Sequence, residues 1–257
     1  MYFGWIESIL QAHPESLKPF IISIAASTSQ KLSAALDAVQ NFRRTLNDHI
    51  HETETKRARI AVELNTSCPN IPGATVPGHD LAVLAPLLHV LAAYHAQDPT
   101  LTLGLKLPPY TDANAITALV RALRAVSSGG RNPVAFLTSA NTLGTCLLFS
   151  EQCYIPGESA SERGGGGFAV PTGLGGLGGE CVHALALGNV YALNRMLRES
   201  DDEGLGRIVV IGVGGVISAA GVRRMRRAGA GVVGCATVFG KHGVGVFEEL
   251  AQGLEDE

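Results

Sequence analysis

Six short apolar runs, each followed by a segment of helix length, restrict the fold of this chain more than any other feature. The runs are rich in Val, Ile, Leu and Phe and occupy Pro19–Ala26, Arg57–Leu64, Leu101–Leu107, Pro133–Ala140, Arg207–Val213 and Gly231–Phe239. Each has the length of a buried parallel strand. The segments between them mix apolar and polar faces, as at Ser29–His49, Leu81–Gln97, Ala113–Val126, Ala186–Glu199 and Ser218–Ala228, and a final helix is expected near Val246–Leu254. A strand followed by a helix, repeated, implies parallel pairing and an α/β fold.

Composition bounds what such a fold does. The 257 residues, 46% hydrophobic and 17% charged, suffice for one large α/β domain, so a single domain over residues 1–257 is expected. A net charge of −3 offers no basic field to a polyanion. The cluster Arg223-Arg224-Met225-Arg226-Arg227 reads as the wet face of a helix, and nucleic acid is an unsuitable partner. No apolar run reaches the roughly 20 residues of a membrane span, and the N-terminus has no basic segment followed by an apolar stretch, so a soluble cytoplasmic protein is expected. The five cysteines form no CxxC pair and the eight histidines no HExxH, which gives a metal site no support.

The polar residues closing the apolar runs form a pattern. Asn65 and Cys68 follow the second run, Lys106 ends the third, Asn141 the fourth, Gly214-Gly215 the fifth and Ala236-Thr237 the sixth. In a parallel α/β fold all would point to one rim, which in a closed eight-stranded barrel carries the active site. Six units are visible where such a barrel needs eight, so the expectation is a partial (β/α)8 TIM barrel of about six βα units. Glycines after a late strand suit phosphate binding through backbone N–H groups, a role open to Gly212, Gly214 and Gly215. The same Gly-Gly also reads as a tight turn. Lys106 is either a placed cation, its exit fixed by Pro108-Pro109, or a strand-end lysine reaching solvent. Asn141 suits an ordinary turn. Cys68, on a loop stiffened by Pro69 and Pro72, is the candidate reactive thiol, while Cys146, Cys153, Cys181 and Cys235 read as small buried hydrophobes. Pro156–Gly179, with Gly164 to Gly167, reads as a Gly-rich loop insertion.

Four stretches in order carry a family resemblance. Asn65-Thr66-Ser67-Cys68-Pro69-Asn70-Ile71-Pro72-Gly73, Gly104-Leu105-Lys106-Leu107-Pro108-Pro109-Tyr110-Thr111-Asp112, Gly175-Gly176-Leu177-Gly178-Gly179 and Ile211-Gly212-Val213-Gly214-Gly215-Val216 resemble the class 1A dihydroorotate dehydrogenases. The resemblance runs from about Tyr2 to Leu254. It implies an FMN-containing (β/α)8 barrel, a cytosolic homodimer, that oxidises dihydroorotate to orotate in pyrimidine (UMP) biosynthesis and passes the electrons to fumarate. By the same resemblance Cys68 is the base that removes the C5 proton. Asn65, Asn70, Asn141 and Thr142 contact the substrate, Thr142 standing where the family usually has serine. Lys106 lies beside the flavin N1–O2 edge, and Ala140, Gly179, Gly214, Gly215, Ala236 and Thr237 surround the flavin and its phosphate.

The chain departs from that pattern. The family's first two strands have no counterpart, its Gly-Thr-Gly-Gly is Gly212-Val213-Gly214-Gly215, its Gly-Thr is Ala236-Thr237 and its Lys-Pro is His183-Ala184. Two further readings stand beside the dehydrogenase: a degenerate paralogue that binds without turning over, and another FMN barrel enzyme acting on a different pyrimidine. The dihydropyrimidine dehydrogenases share Asn-x-Ser-Cys-Pro but carry Cys-rich iron–sulfur domains that have no counterpart here.

Overall fold

A computed structural model describes residues 2–48, 58–67, 76–153 and 167–255. Eight strands and nine α-helices are found among them: α1 (Tyr2–Ala12), β1 (Phe20–Ile24), α2 (Ser29–Thr45), β2 (Ile60–Asn65), α3 (Leu81–Gln97), β3 (Thr102–Lys106), α4 (Ala113–Ala125), β4 (Val134–Ser139), β5 (Leu143–Leu147), β6 (Leu174–Leu177), α5 (His183–Arg198), α6 (Glu203–Gly206), β7 (Val209–Val213), α7 (Ala219–Arg227), β8 (Val232–Gly234), α8 (Thr237–His242) and α9 (Val246–Glu255). They group into two compact units. The first comprises Met1–Leu107, Asp112–Thr138 and Arg195–Val209; the second, Pro108–Thr111, Ser139–Asn194 and Val210–Glu257.

In the first unit β1, β2, β3 and β4 lie side by side in that order, all parallel. Val62, Leu64, Leu103 and Leu105 on the strands are buried, as are Leu32, Leu36 and Val39 of α2, Leu84, Leu87, Leu88 and Leu91 of α3, and Ile116, Leu119 and Leu123 of α4. Each such side chain contributes about 1.5–3 kcal/mol of burial, which fixes the helices as amphipathic covers rather than free elements. Side-chain caps start them cleanly: Thr28 accepts from Lys31 N–H, Asp80 from Ala82 N–H and Asp112 from Asn114 N–H. No residue of the edge strand β1 is buried: half-buried and exposed positions alternate and Ile21 is 45% exposed, so it is not the fully buried strand the apolar run suggests.

A buried cation ties this unit together. Arg43 is fully buried at the end of α2 and donates to Asp48 at 3.1 Å, Asp98 at 2.6 Å, Gln40 at 2.8 Å and Thr100 at 2.7 Å. Asp48 in turn accepts from the backbone N–H groups of Arg59 and Ile60 at 2.6 and 3.2 Å, which sets where β2 begins. A buried guanidinium is tolerable only with this many acceptors.

In the second unit β7 and β8 pair in parallel and β5 and β6 form an antiparallel ribbon. Gly212 allows α7 and the turn after it to close on β7, since a Cβ there would stand 2.9 Å from Ala230 Cβ and 3.0 Å from Met225 Sδ. Its lack of a side chain is required for that packing. The arginine cluster does divide into a wet and a packed face: Met225 is buried, and Arg226 and Arg227 are exposed. Arg223 also has a structural task, donating to the Gly253 carbonyl of α9 at 2.7 Å.

Several expected boundaries shift. The sixth strand stops at Gly234 instead of running to Phe239, because the chain turns into α8 at Thr237. The Gly-rich segment is not all loop: Leu174–Leu177 pairs with Leu143–Leu147, two short strands whose glycines and exposed faces hide them from periodicity. None of the four cysteines expected as buried hydrophobes is buried. Cys146, Cys153 and Cys235 are half-buried and Cys181 is exposed, all four as free thiols on the ribbon or on turns. Among the described residues no cluster could hold a metal ion, and no helix is long and apolar enough to cross a membrane.

Candidate active site

The polar end of the first unit is built on strand register. Asn65 is the register partner of Lys106, and Lys106 of Thr138, so three polar side chains lie abreast at the carboxyl ends of β2, β3 and β4. One layer below, Glu63 pairs with Gly104. Glu63 is 9% exposed and accepts the Thr138 hydroxyl at 2.5 Å, which brings a buried carboxylate up against the polar layer. Gly104 is required there, because a Cβ would stand 2.2 Å from the Phe136 ring.

The exit of β2 is held in place by its own side chains. Asn65 Oδ1 accepts both the N–H of Ser67 at 3.0 Å and its hydroxyl at 2.8 Å, a local turn that commits the carbonyl end of this carboxamide. What Asn65 can offer a ligand is its NH2, a pair of donors. Thr66, fully buried, closes onto β3: its N–H and hydroxyl both donate to the Lys106 carbonyl, at 3.0 and 2.7 Å. The Lys106 ammonium is half-buried and has no hydrogen-bond or ion-pair partner among the described residues. A lysine at a strand end, unpaired among the described residues, can take an anionic partner. Cys68 and Asn70 lie outside the described residues.

The second unit holds the remaining candidates. Ala140 is buried and donates its N–H to the Val213 carbonyl at 2.9 Å. Asn141 Oδ1 accepts from Thr142 N–H at 2.8 Å. Thr142 packs on the glycine stretch of β6: a Cβ on Gly176 would come within 2.2 Å of its Oγ1, and one on Gly178 would lie 3.3 Å from its Cγ2 and 3.7 Å from Thr237 Oγ1. Thr237 also borders Gly179, whose φ of 77° only glycine adopts easily. Thr142, Gly176, Gly178, Gly179 and Thr237 thus form one cluster. Ala236, at the cap position of α8, provides no side-chain acceptor.

The glycine turn after β7 is held from behind. Gly214 and Gly215 have φ values of 136° and 64°. A Cβ at 214 would meet Ala186 at 2.6 Å, and one at 215 would meet His183 Cβ at 2.7 Å and the Gly179 carbonyl at 2.9 Å. The turn is thereby pressed onto the start of α5. His183 Nδ1 lies 2.8 Å from the Gly214 carbonyl, and Arg224 Nε donates to His183 Nε2 at 3.0 Å. A second brace fixes the loop that follows Lys106. The buried Asn189 accepts from Tyr110 N–H at 2.7 Å and donates to the Tyr110 carbonyl at 2.8 Å.

The sequence motifs assigned no role to these supports. Glu63, Thr66, Thr138, Asn189 and Arg224 make contacts to residues distant in sequence; Thr66 and Arg224 stood in a motif and a charged cluster, and Glu63, Thr138 and Asn189 in no motif.

Parallel strands alternating with helices define a partial barrel of the (β/α)8 class. The family model for dihydroorotate dehydrogenase matches residues 10–257, and the chain belongs to that family. A protein of Streptococcus uberis, provisionally named dihydroorotate dehydrogenase A (fumarate), is 30% identical over 194 residues, 76% of this chain and 53% of its own length. Its counterpart in Streptococcus pneumoniae, also provisionally named, is 29% identical over 241 residues, 94% of this chain and 64% of its own. The chain thus spans about half to two thirds of the length of these relatives. Among solved structures, a DHODH of Eimeria tenella in complex with ferulenol shares the fold, with a TM-score of 0.53 at 15% identity over 86% of this chain and 64% of that one.

Proposed function

We propose that this chain serves the FMN-dependent oxidation of dihydroorotate to orotate in pyrimidine biosynthesis, with fumarate as electron acceptor, as a cytoplasmic homodimer. The observation that carries the reading is the register pair at the ends of β2 and β3. It sets a carboxamide whose NH2 no described residue engages beside a half-buried lysine that no described residue neutralises. The provisional names of the streptococcal relatives support both the substrate and the acceptor.

The reaction removes a proton from C5 and a hydride from C6, leaving a C5–C6 double bond. Cys68 takes the C5 proton as thiolate, for which the ordinary thiol value near 8.5 must be lowered by donors of its loop. The Asn65 NH2 donates to the pyrimidine, with Asn70, Asn141 and Thr142 completing the polar contacts of a ring that carries both donors and acceptors. When bound, FMN supplies the acceptor for the C6 hydride. The residues present fit such a group. Lys106 offers positive charge where negative charge accumulates on reduction. Ala140, Gly179, Gly214, Gly215, Ala236 and Thr237 offer a cradle of small residues and one hydroxyl for ring and phosphate.

A second reading, a binding subunit without turnover, is favoured by the departures at flavin positions, Val213 and Ala236 standing where the family has Thr and Gly. Anaerobic dihydroorotate added to the purified chain with FMN separates the two. Bleaching of the flavin band is expected, and a protein that retains FMN without bleaching supports the binding subunit. Cys68→Ser is expected to slow bleaching far more than it weakens orotate binding; equal losses would mean that Cys68 packs rather than reacts.

A further inference from the structure

The glycine turn after β7 is held by a relay that begins on α7. Arginine is a donor only, so the 3.0 Å contact from Arg224 Nε makes His183 Nε2 the acceptor. The imidazole proton therefore sits on Nδ1, which donates to the Gly214 carbonyl at 2.8 Å. His183 is 8% exposed, and its Cβ occupies the space a side chain on Gly215 would need, 2.7 Å away. Arg224 is itself exposed, and its hydrogen bond on this side goes to the histidine. A second residue that fixes the tautomer and ring orientation of a first is a common way of holding a ligand-binding group in place.

We infer that His183, locked as its Nδ1–H tautomer by Arg224, is the positioning residue of the Gly214–Gly215 turn and thereby sets affinity for the phosphate of the flavin. The inference rests on the FMN reading above. It assigns to the pair no contact with substrate or flavin ring. Its signature is a loss of affinity confined to the phosphorylated form of the cofactor.

The test is equilibrium binding of FMN and of riboflavin, by quenching of flavin fluorescence, to the unmodified chain and to His183→Ala, His183→Gln, Arg224→Gln and Arg224→Lys. His183→Ala should weaken FMN about tenfold and riboflavin not at all, a change of about 1.4 kcal/mol in the phosphate contribution. His183→Gln, whose amide can still donate to the Gly214 carbonyl, should recover part of the loss. Arg224→Gln, on an exposed helix face where folding is not at issue, should show the same selectivity at smaller size, and Arg224→Lys less still. Nitrogen-15 spectra should show the Nδ1–H tautomer of His183 in the unmodified chain and a tautomer mixture in Arg224→Gln. An Nε2–H tautomer, or equal losses for FMN and riboflavin, would overturn the inference and leave the flavin reading intact. Failure of the unmodified chain to bind either flavin would bring down both.

Discussion

Thr66 donates both its backbone N–H and its hydroxyl to a single acceptor, the carbonyl of Lys106, at 3.0 and 2.7 Å. The end of the strand that leads to Cys68 is thus pinned to the end of the strand that carries the cation. Thr66 is fully buried, so Thr66→Val keeps the shape and removes one bond. It should cost about 1–2 kcal/mol in urea unfolding, because the carbonyl keeps only the N–H partner, while Thr66→Ser should cost less. A neutral Thr66→Val would show that the hydroxyl bond contributes nothing.

Lys106 should act on electron transfer more than on binding. In Lys106→Met the uncompensated ammonium is gone, and reduction of bound FMN by dihydroorotate should slow by about tenfold to a hundredfold, with a lower flavin midpoint potential. Stopped-flow absorbance measures the first and anaerobic titration the second. An unchanged potential would place Lys106 away from the flavin.

Gly104 and Phe136 should be coupled. Gly104→Ala forces a methyl into the Phe136 ring, which would stand 2.2 Å away, and should destabilise by about 2 kcal/mol or more. Phe136→Leu in the same chain should recover part of that loss, giving a coupling energy above about 0.5 kcal/mol in a double-mutant cycle. Strict additivity would contradict the contact.

Acid should weaken the first unit through Asp98. Burial pushes this carboxyl up, but hydrogen bonds from Thr100 and Gln40 and the charge of Arg43 outweigh it and hold it at about 2. A folded value below the ordinary one means that the stability it contributes is present above about pH 5 and is lost as pH falls from about 4 to about 2. Solvent reaches this group, so the contribution is about 1 kcal/mol. Asp98→Asn should flatten the stability profile over that window. It should also cost about 2 kcal/mol at pH 7, since among the described residues buried Arg43 keeps only Asp48 as a charged partner. Thermal unfolding across pH 2–7 checks both.

Ser139 should prove dispensable for folding. Its hydroxyl is fully buried at the end of β4 with no partner among the described residues. Ser139→Ala relieves that burial and should be neutral or stabilising by up to about 1 kcal/mol in denaturant unfolding. A loss above about 1 kcal/mol would reveal a partner.

How much of this was legible depends on the range of the interactions. Leu81–Gln97 forms a helix with the bounds its pattern predicts, and the first five apolar runs contain strands, because period and capping residues act within a few positions. Val232–Gly234 ends early because a short strand followed at once by a helix leaves the apolar run Gly231–Phe239 without a visible break. The β5–β6 ribbon escaped because Gly144, Gly175 and Gly176 carry no side-chain period, and its partners are some thirty residues apart along the chain.

The sequence by itself determined the alternation of strands and helices, the order of the polar residues that end them and the family they mark, since local periodicity and contiguous motifs specify all three. Only the tertiary structure decided that Asn65 stands abreast of Lys106, that Thr138 reaches Glu63, and that Arg224 holds Gly214 through His183. These pairings join residues about 30 to 75 positions apart, and such partners are selected by sheet register and helix packing, which no local pattern encodes.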